Sequence, residues 1–178
     1  MLDGRIDMVL DAGPTSGGLE STVVDLSHSR PRLLRPGLIP AAQISDVLGV
    51  ALEGVDEFAD EISPSALPSP GLMKKHYAPL VPVDLADDDG LTLIKRYFAE
   101  QRVGWLPLTT NSARTPPDAN VELIELPAEP AGYAERLYDA LHELERRGVR
   151  RIVVERPPRD AAWAAIHDRL QRAAASDE

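Results

Sequence analysis

From residue 81 onward, short β-branched runs alternate with amphipathic stretches, and that alternation constrains the fold more than any other feature of the chain. Residues 81–85, 103–108, 121–126 and 151–155 read as strands, whereas 91–101, 130–147 and 160–174 read as helices. The clearest helix, 130–147, places Tyr133, Leu137, Leu141 and Leu144 on one face and stops at Gly148. In the stretch 91–101, Leu91, Ile94 and Phe98 recur at helical spacing. The run RIVVE at 151–155 reads as a buried strand. Strands separated by helices pair in parallel, because each crossover returns the chain to the same end of the sheet. The prediction is an α/β fold whose residues 81–178 form a small, Rossmann-like parallel sheet with helices on its faces.

Residues 1–49 follow another rule. Three runs read as strands: 7–10 (DMVL), 20–26 (ESTVVDL) and 32–35 (RLLR). A short helix follows, with Pro40 at its start, Ile44, Val47 and Leu48 on one face, and Gly49 at its end. Three strands and one short helix cannot cover both faces of a sheet, so this segment is expected to be the closing edge of a larger one. Residues 50–80 read as a linker. Acidic side chains crowd 53–61, and Pro64, Pro68 and Pro70 among serines then keep the chain extended and semi-rigid.

Bulk composition narrows the function. Aromatic residues make up 4% of the chain against 43% hydrophobic, so aliphatic side chains must build the core. The net charge of −10 is shared evenly between the two halves, and no basic tract interrupts it. Long-range attraction to a phosphate backbone is therefore weak, although a local arginine pocket can still hold one nucleotide. The absence of cysteine excludes disulfides, thiolate metal sites and a cysteine nucleophile, and suits a cytoplasmic location. No apolar run approaches the roughly 20 residues of a membrane helix. The four histidines, His28, His76, His142 and His167, lack ligand spacing, so no protein-borne metal site is expected.

Several residues could carry chemistry. The turn GPTSGG at 13–18 precedes a strand, whereas a phosphate loop needs a helix N-terminus behind it, so the glycines read as a turn. Ser21 and Thr22 point to opposite faces of a strand, and one of them can line a given pocket. Arg35 closes a strand beside Pro36-Gly37, where it can fork onto a phosphate or carboxylate or sit as a solvated edge residue. His76-Tyr77 lie in a hinge between Lys74-Lys75 and Ala78-Pro79, with Tyr77 free either to pack on the next domain or to meet a ligand. Residues 156–160 (RPPRD) lead from a strand end into a helix, which is a ligand position in open α/β sheets and equally a tight loop.

Taken in order and spacing, GRIDMVLDAG (4–13), GGLESTVVDL (17–26), LLRPG (33–37) and SPGLMKKHYAP (69–79) resemble the closing half of threonylcarbamoyl-AMP synthases. The stretch 133–155, YAERLYDALHELERRGVRRIVVE, and DRLQRAA near the end resemble the extra C-terminal domain of the long-form members. The resemblance covers nearly the whole chain. It implies that 1–49 is the C-terminal remnant of a YrdC-like α/β catalytic domain, 50–80 the hinge, and 81–178 the accessory domain. It also implies a nucleotidyltransferase reaction: L-threonine, bicarbonate and ATP, with Mg2+ accompanying the ATP, give threonylcarbamoyl-adenylate and pyrophosphate, for threonylcarbamoyladenosine modification of tRNA. By the same resemblance Ser21 binds threonine, Arg35 and Tyr77 contact ATP, and no residue is assigned as catalytic; Thr22 and His76 are unassigned. The charge balance argues against direct tRNA binding, and no membrane partner is expected. The basic residues that hold the triphosphate in complete members have no counterpart here, and the hinge reads Leu72-Met73-Lys74-Lys75 where Met usually follows Ser-Pro-Gly directly. Activity is therefore expected to require a complementing N-terminal catalytic half. The alternative is a non-catalytic α/β module that binds a nucleotide or a partner protein.

Overall fold

The computed structural model describes residues 4–13, 15, 17–54, 79–88, 90–109 and 114–175. Its centre is a four-stranded parallel sheet built from β3 (Val83–Ala86), β4 (Val103–Leu106), β5 (Val121–Leu123) and β6 (Arg151–Glu155), in the order β3-β6-β4-β5. The fold class is α/β, as the alternation predicts. Between β3 and β4 runs α2 (Leu91–Tyr97); between β5 and β6 runs α3 (Pro130–Arg146); α4 (Ala164–Ala174) follows β6 through a single 3-10 turn, Ala161–Trp163. The β3-to-β4 and β5-to-β6 connections step across the sheet in opposite directions. Right-handed crossovers stepping in opposite directions place their helices on opposite faces.

The side chains follow. Along β6, Ile152 and Val154 pack with Leu137, Leu141 and Leu144 of α3 and with Ile166 and Leu170 of α4. Val153, between them, packs with Trp105 and with Ile94 of α2. A strand alternates its side chains between faces, so a run buried on both faces must be apolar throughout, and RIVVE meets that demand at its three central positions. Gly104 of β4 lies under α3, where a Cβ would come 2.7 Å from Leu144 Cδ1. α3 begins with Pro130 behind Glu129, whose carboxylate accepts from Gly132 N at 3.0 Å. Asp160 accepts from Ala162 N at 2.9 Å and opens the turn into α4.

The earlier part of the chain is thinner. β1 (Val23–Asp25) and β2 (Arg32–Arg35) form an antiparallel pair, and α1 (Ala41–Leu48) follows, ending at Gly49 in the left-handed conformation. Residues 7–10 are not a strand, contrary to the sequence reading. An apolar run becomes a strand only where a partner supplies hydrogen bonds, and among the described residues none pairs with this one; Leu10 is 91% exposed. The apolar face expected of α1 is also largely uncovered, with Val47 87% exposed. Conversely, Leu52 is buried, and Glu53 pairs along β2 through Leu33 N to Glu53 O and Glu53 N to Pro31 O, both 2.8 Å. The chain therefore keeps strand-like pairing just inside the span read as linker. The proline cluster of that span lies outside the described residues.

Candidate functional site

Ser21 and Arg35 meet. The β1–β2 register sets Val23 opposite Arg35, which brings the end of β2 alongside the residues just before β1. The Arg35 side chain folds back over them, and its Nε and Nη2 donate to the Ser21 carbonyl oxygen at 3.1 and 2.9 Å. Arg35 is 8% exposed, so the solvated-edge reading does not hold. The Ser21 side chain remains exposed. Beside it the Thr22 hydroxyl donates to the Ile39 carbonyl at 2.7 Å, which ties Thr22 to the loop after β2. Gly37 packs backbone to backbone on this segment: a Cβ there would lie 2.2 Å from Thr22 N and 2.5 Å from the Ser21 carbonyl carbon.

Sequence reasoning missed the group that carries this segment. Glu20 pairs with Arg169 of α4, Oε2 to Nε at 2.5 Å, and Arg169 is 3% exposed. Asp168 contacts Arg169 Nη1 and takes a forked pair from Arg172, whose Nε and Nη2 donate at 2.8 and 2.9 Å. Two carboxylates and two guanidinium groups thus form a charge-balanced cluster. The i,i+4 spacing of Asp168 and Arg172 is legible in the sequence; the link to Glu20, far away along the chain, is not. Gly18, at φ +65°, comes so close to α3 that a Cβ would sit 2.2 Å from the Ala134 carbonyl oxygen, and Leu19 packs against the α3–α4 core.

Burial raises the Glu20 carboxyl, but the charge and hydrogen bond of Arg169 outweigh it and hold the group below the usual carboxylate range. The groups facing it are Arg169, Asp168 and Arg172 from α4, Tyr138 from α3 and Arg35 from β2. A carboxyl lowered by folding contributes its stabilisation above the ordinary carboxylate range and loses it as pH falls through the depressed value. Acidification from about pH 6 to about pH 3 is therefore expected to release residues 20–25 before the parallel sheet unfolds. Amide exchange over that range, corrected for intrinsic rates, checks this; equal protection at both ends would contradict it.

The other candidates fare differently. At the strand C-termini, Glu155 accepts from Leu108 N at 3.0 Å and pairs with Arg114 at 3.2 Å. In the RPPRD loop, His167 Nε2 lies 3.0 Å from the Pro158 carbonyl oxygen and Asp160 opens the following turn, the arrangement of a tight strand-to-helix connection. Burial pushes the His167 imidazole down, with Arg156 and Arg159 acting in the same direction. His76 and Tyr77 lie outside the described residues. Among the described residues no group of three His, Asp or Glu side chains is arranged to hold a metal ion. No described helix is long and apolar enough to cross a membrane.

A four-stranded parallel sheet flanked by helices, with a β-hairpin tied to α4 by the Glu20–Arg169 ion pair, defines the molecule as an open-sheet α/β protein. Residues 39–175 match the family described as threonylcarbamoyl-AMP synthase, C-terminal domain, and the chain belongs to that family. It is 35% identical over 177 residues to the threonylcarbamoyl-AMP synthase of Bacillus subtilis, covering 97% of this chain and 50% of that protein. The crystal structure of Pyrococcus abyssi Sua5 complexed with L-threonine superposes with a TM-score of 0.72 at 28% identity, over 96% of this chain and 50% of that one. A Sua5 variant from the same organism, with an adjacent histidine and tyrosine replaced by alanine, gives a TM-score of 0.68 at 26% identity, over 97% and 49%. The chain spans about half the length of the relatives it matches.

Proposed function

We propose that this chain forms one wall of a threonylcarbamoyl-AMP synthase active site, with Ser21 binding L-threonine and Arg35 and Tyr77 contacting ATP. The observation that carries the proposal is the buried Arg35 fork on the Ser21 carbonyl, which joins the end of β2 to the segment just before β1 at one exposed serine. The solved relative that holds L-threonine supports the substrate class. His76-Tyr77 is the one adjacent His-Tyr pair in this chain, and the alanine variant of such a pair in Sua5 supports attention to the hinge.

The chemistry asks little of protein nucleophiles. The threonine amine and bicarbonate give a carbamate with loss of one water, and a carbamate oxygen then attacks the α-phosphorus of ATP and expels pyrophosphate. Catalysis then rests on positioning and charge neutralisation. Ser21 would orient the amino acid by its hydroxyl. Arg35, fixed by its bonds to the backbone, would turn its other N–H groups toward the phosphates, and Mg2+ would arrive with ATP as part of the substrate. Carbamates lose carbon dioxide and adenylates hydrolyse, so the site must exclude water, a role suited to the hinge bearing Tyr77. The product serves tRNA threonylcarbamoylation, in the cytoplasm, with no tRNA surface of its own on this acidic chain. The remaining wall would come from a complementing catalytic half.

The test is pyrophosphate release with threonine, bicarbonate and ATP, on this chain and on a version extended upstream to the length of its relatives. Release by the extended version is expected. In that version Arg35→Ala should weaken ATP use by roughly ten- to a hundredfold or somewhat more, about 1.5–3 kcal/mol. No release by the extended version favours the non-catalytic module, and an unchanged ATP dependence removes the assignment of Arg35.

A further inference from the structure

The ion cluster on α4 is placed where a site would need it. Glu20 immediately precedes Ser21, and Pro36 immediately follows Arg35. Arg169 reaches both: its Nε meets the Glu20 carboxylate at 2.5 Å and its Nη2 donates to the Pro36 carbonyl at 3.3 Å. One buried guanidinium therefore bridges the two chain segments whose neighbours form the Ser21–Arg35 pair. A planar guanidinium with several N–H groups can do this, whereas an ammonium presents a point charge on a flexible stem. The guanidinium is itself held, because Asp168 contacts its third nitrogen while anchored by the fork from Arg172.

We infer that Arg169 is a positioning residue for the threonine and ATP site, clamping the backbone on both sides of the Ser21–Arg35 pair from the outer helix of the parallel-sheet unit. The inference rests on the functional reading of Ser21 and Arg35 given above. It assigns the parallel-sheet unit a structural part in the site itself. Without the clamp the hairpin keeps its internal Arg35 bond, and its placement against α3 is left to the Gly18 and Leu19 packing and the Tyr138 hydroxyl, which donates to Glu20 Oε2 at 3.5 Å.

The clamp is tested on the full chain by residue-resolved amide exchange of Arg169→Met, Arg169→Lys and Glu20→Ala. Glu20→Ala matters most, since it releases the shorter of the clamp's two arms, leaving the Pro36 contact, and keeps the Asp168–Arg169–Arg172 contacts of α4 in place. Exchange in residues 20–25 and 32–37 is expected to speed up about tenfold in Arg169→Met and Glu20→Ala, with α3 and β6 unchanged. Arg169→Lys, which keeps the charge toward Glu20 but cannot span to Pro36, should recover part of the protection. Unaltered exchange in the hairpin of Glu20→Ala overturns the clamp. Equal loss through α3 and β6 in that variant overturns the positioning role in favour of a general structural one. Calorimetric titration of the upstream-extended version with L-threonine separates the two ideas: weaker binding with Arg169→Met than without it supports the clamp's role in the site. No binding by the extended version without substitution removes the assignment of Ser21, while the exchange result still judges the clamp.

Discussion

Replacing Gly37 by alanine is expected to dismantle the Ser21–Arg35 arrangement while leaving the parallel sheet intact. Gly37 sits outside the left-handed region, so the backbone conformation itself does not demand glycine; the space does. The added Cβ would lie 2.2 Å from Thr22 N, 2.5 Å from the Ser21 carbonyl carbon and 2.7 Å from the Glu20 carbonyl oxygen. All three are backbone atoms of the segment that would hold threonine, and backbone cannot rotate aside as a side chain can. The loop after β2 must therefore withdraw from that segment. Withdrawal lengthens the Thr22 hydroxyl bond to the Ile39 carbonyl and moves Arg35, two residues before Gly37, off the Ser21 carbonyl. Overpacking of this kind costs about 1–3 kcal/mol or more, and at the upper end amide exchange in residues 20–25 rises about a hundredfold. The urea unfolding midpoint of the parallel sheet should not move, because the three atoms nearest the added Cβ all belong to residues 20–22, outside its core. Parent-like exchange in residues 20–25 would show that the close approach is not needed.

That separation of site from core also explains what the sequence could disclose. The parallel sheet was legible because each of its strands and helices meets its own packing demand within a few residues. RIVVE is apolar where both faces are covered, and the stripe from Tyr133 to Leu144 recurs at helical spacing because α3 buries one face. The run at 7–10 has equally good local chemistry and forms no strand, since a strand is completed by a partner elsewhere. α1 makes the same point: its ends are where Pro40 and Gly49 foretold, yet the face that carries Val47 is largely uncovered among the described residues. At the site, strand order and the Pro36-Gly37 stop were enough to bring Arg35 near Ser21. Its target, a backbone carbonyl, carries no residue signature. Arg169 was hidden for a related reason. A charged residue beside the apolar stripe of a helix reads as a solvated flank, and only the tertiary pairing with Glu20 shows why it is buried.

The converse substitution, Leu137→Ala, should damage both parts. Leu137 is fully buried at the middle of α3, in the cluster shared by Leu106, Ile152 and Val154 of the sheet and Ile166 and Leu170 of α4. Truncating a buried leucine removes its transfer free energy and leaves a cavity, a loss of about 2–5 kcal/mol. Domains of this size are stable by only about 5–15 kcal/mol, so a large share of the total is removed. The urea midpoint should fall by about 1 M or more with an unchanged slope, since the surface exposed on unfolding hardly differs. The hairpin cannot escape the effect, because Gly18 lies on the α3 backbone, Leu19 packs into the same cluster, and Arg169 belongs to α4. Exchange in residues 20–25 should therefore accelerate along with that of α3 and β6. The two parts are unequal: the hairpin leans on the helices, whereas the buried cluster between the helices and the sheet is made of their own residues, with Leu19 packed at its edge. A midpoint shift below about 0.3 M would mean that α3 relaxes into the space left by Leu137. Hairpin protection that survives the loss of α3 protection would mean that β1 and β2 are held by something other than this face, and with it the placement of the Ser21–Arg35 pair would need another origin.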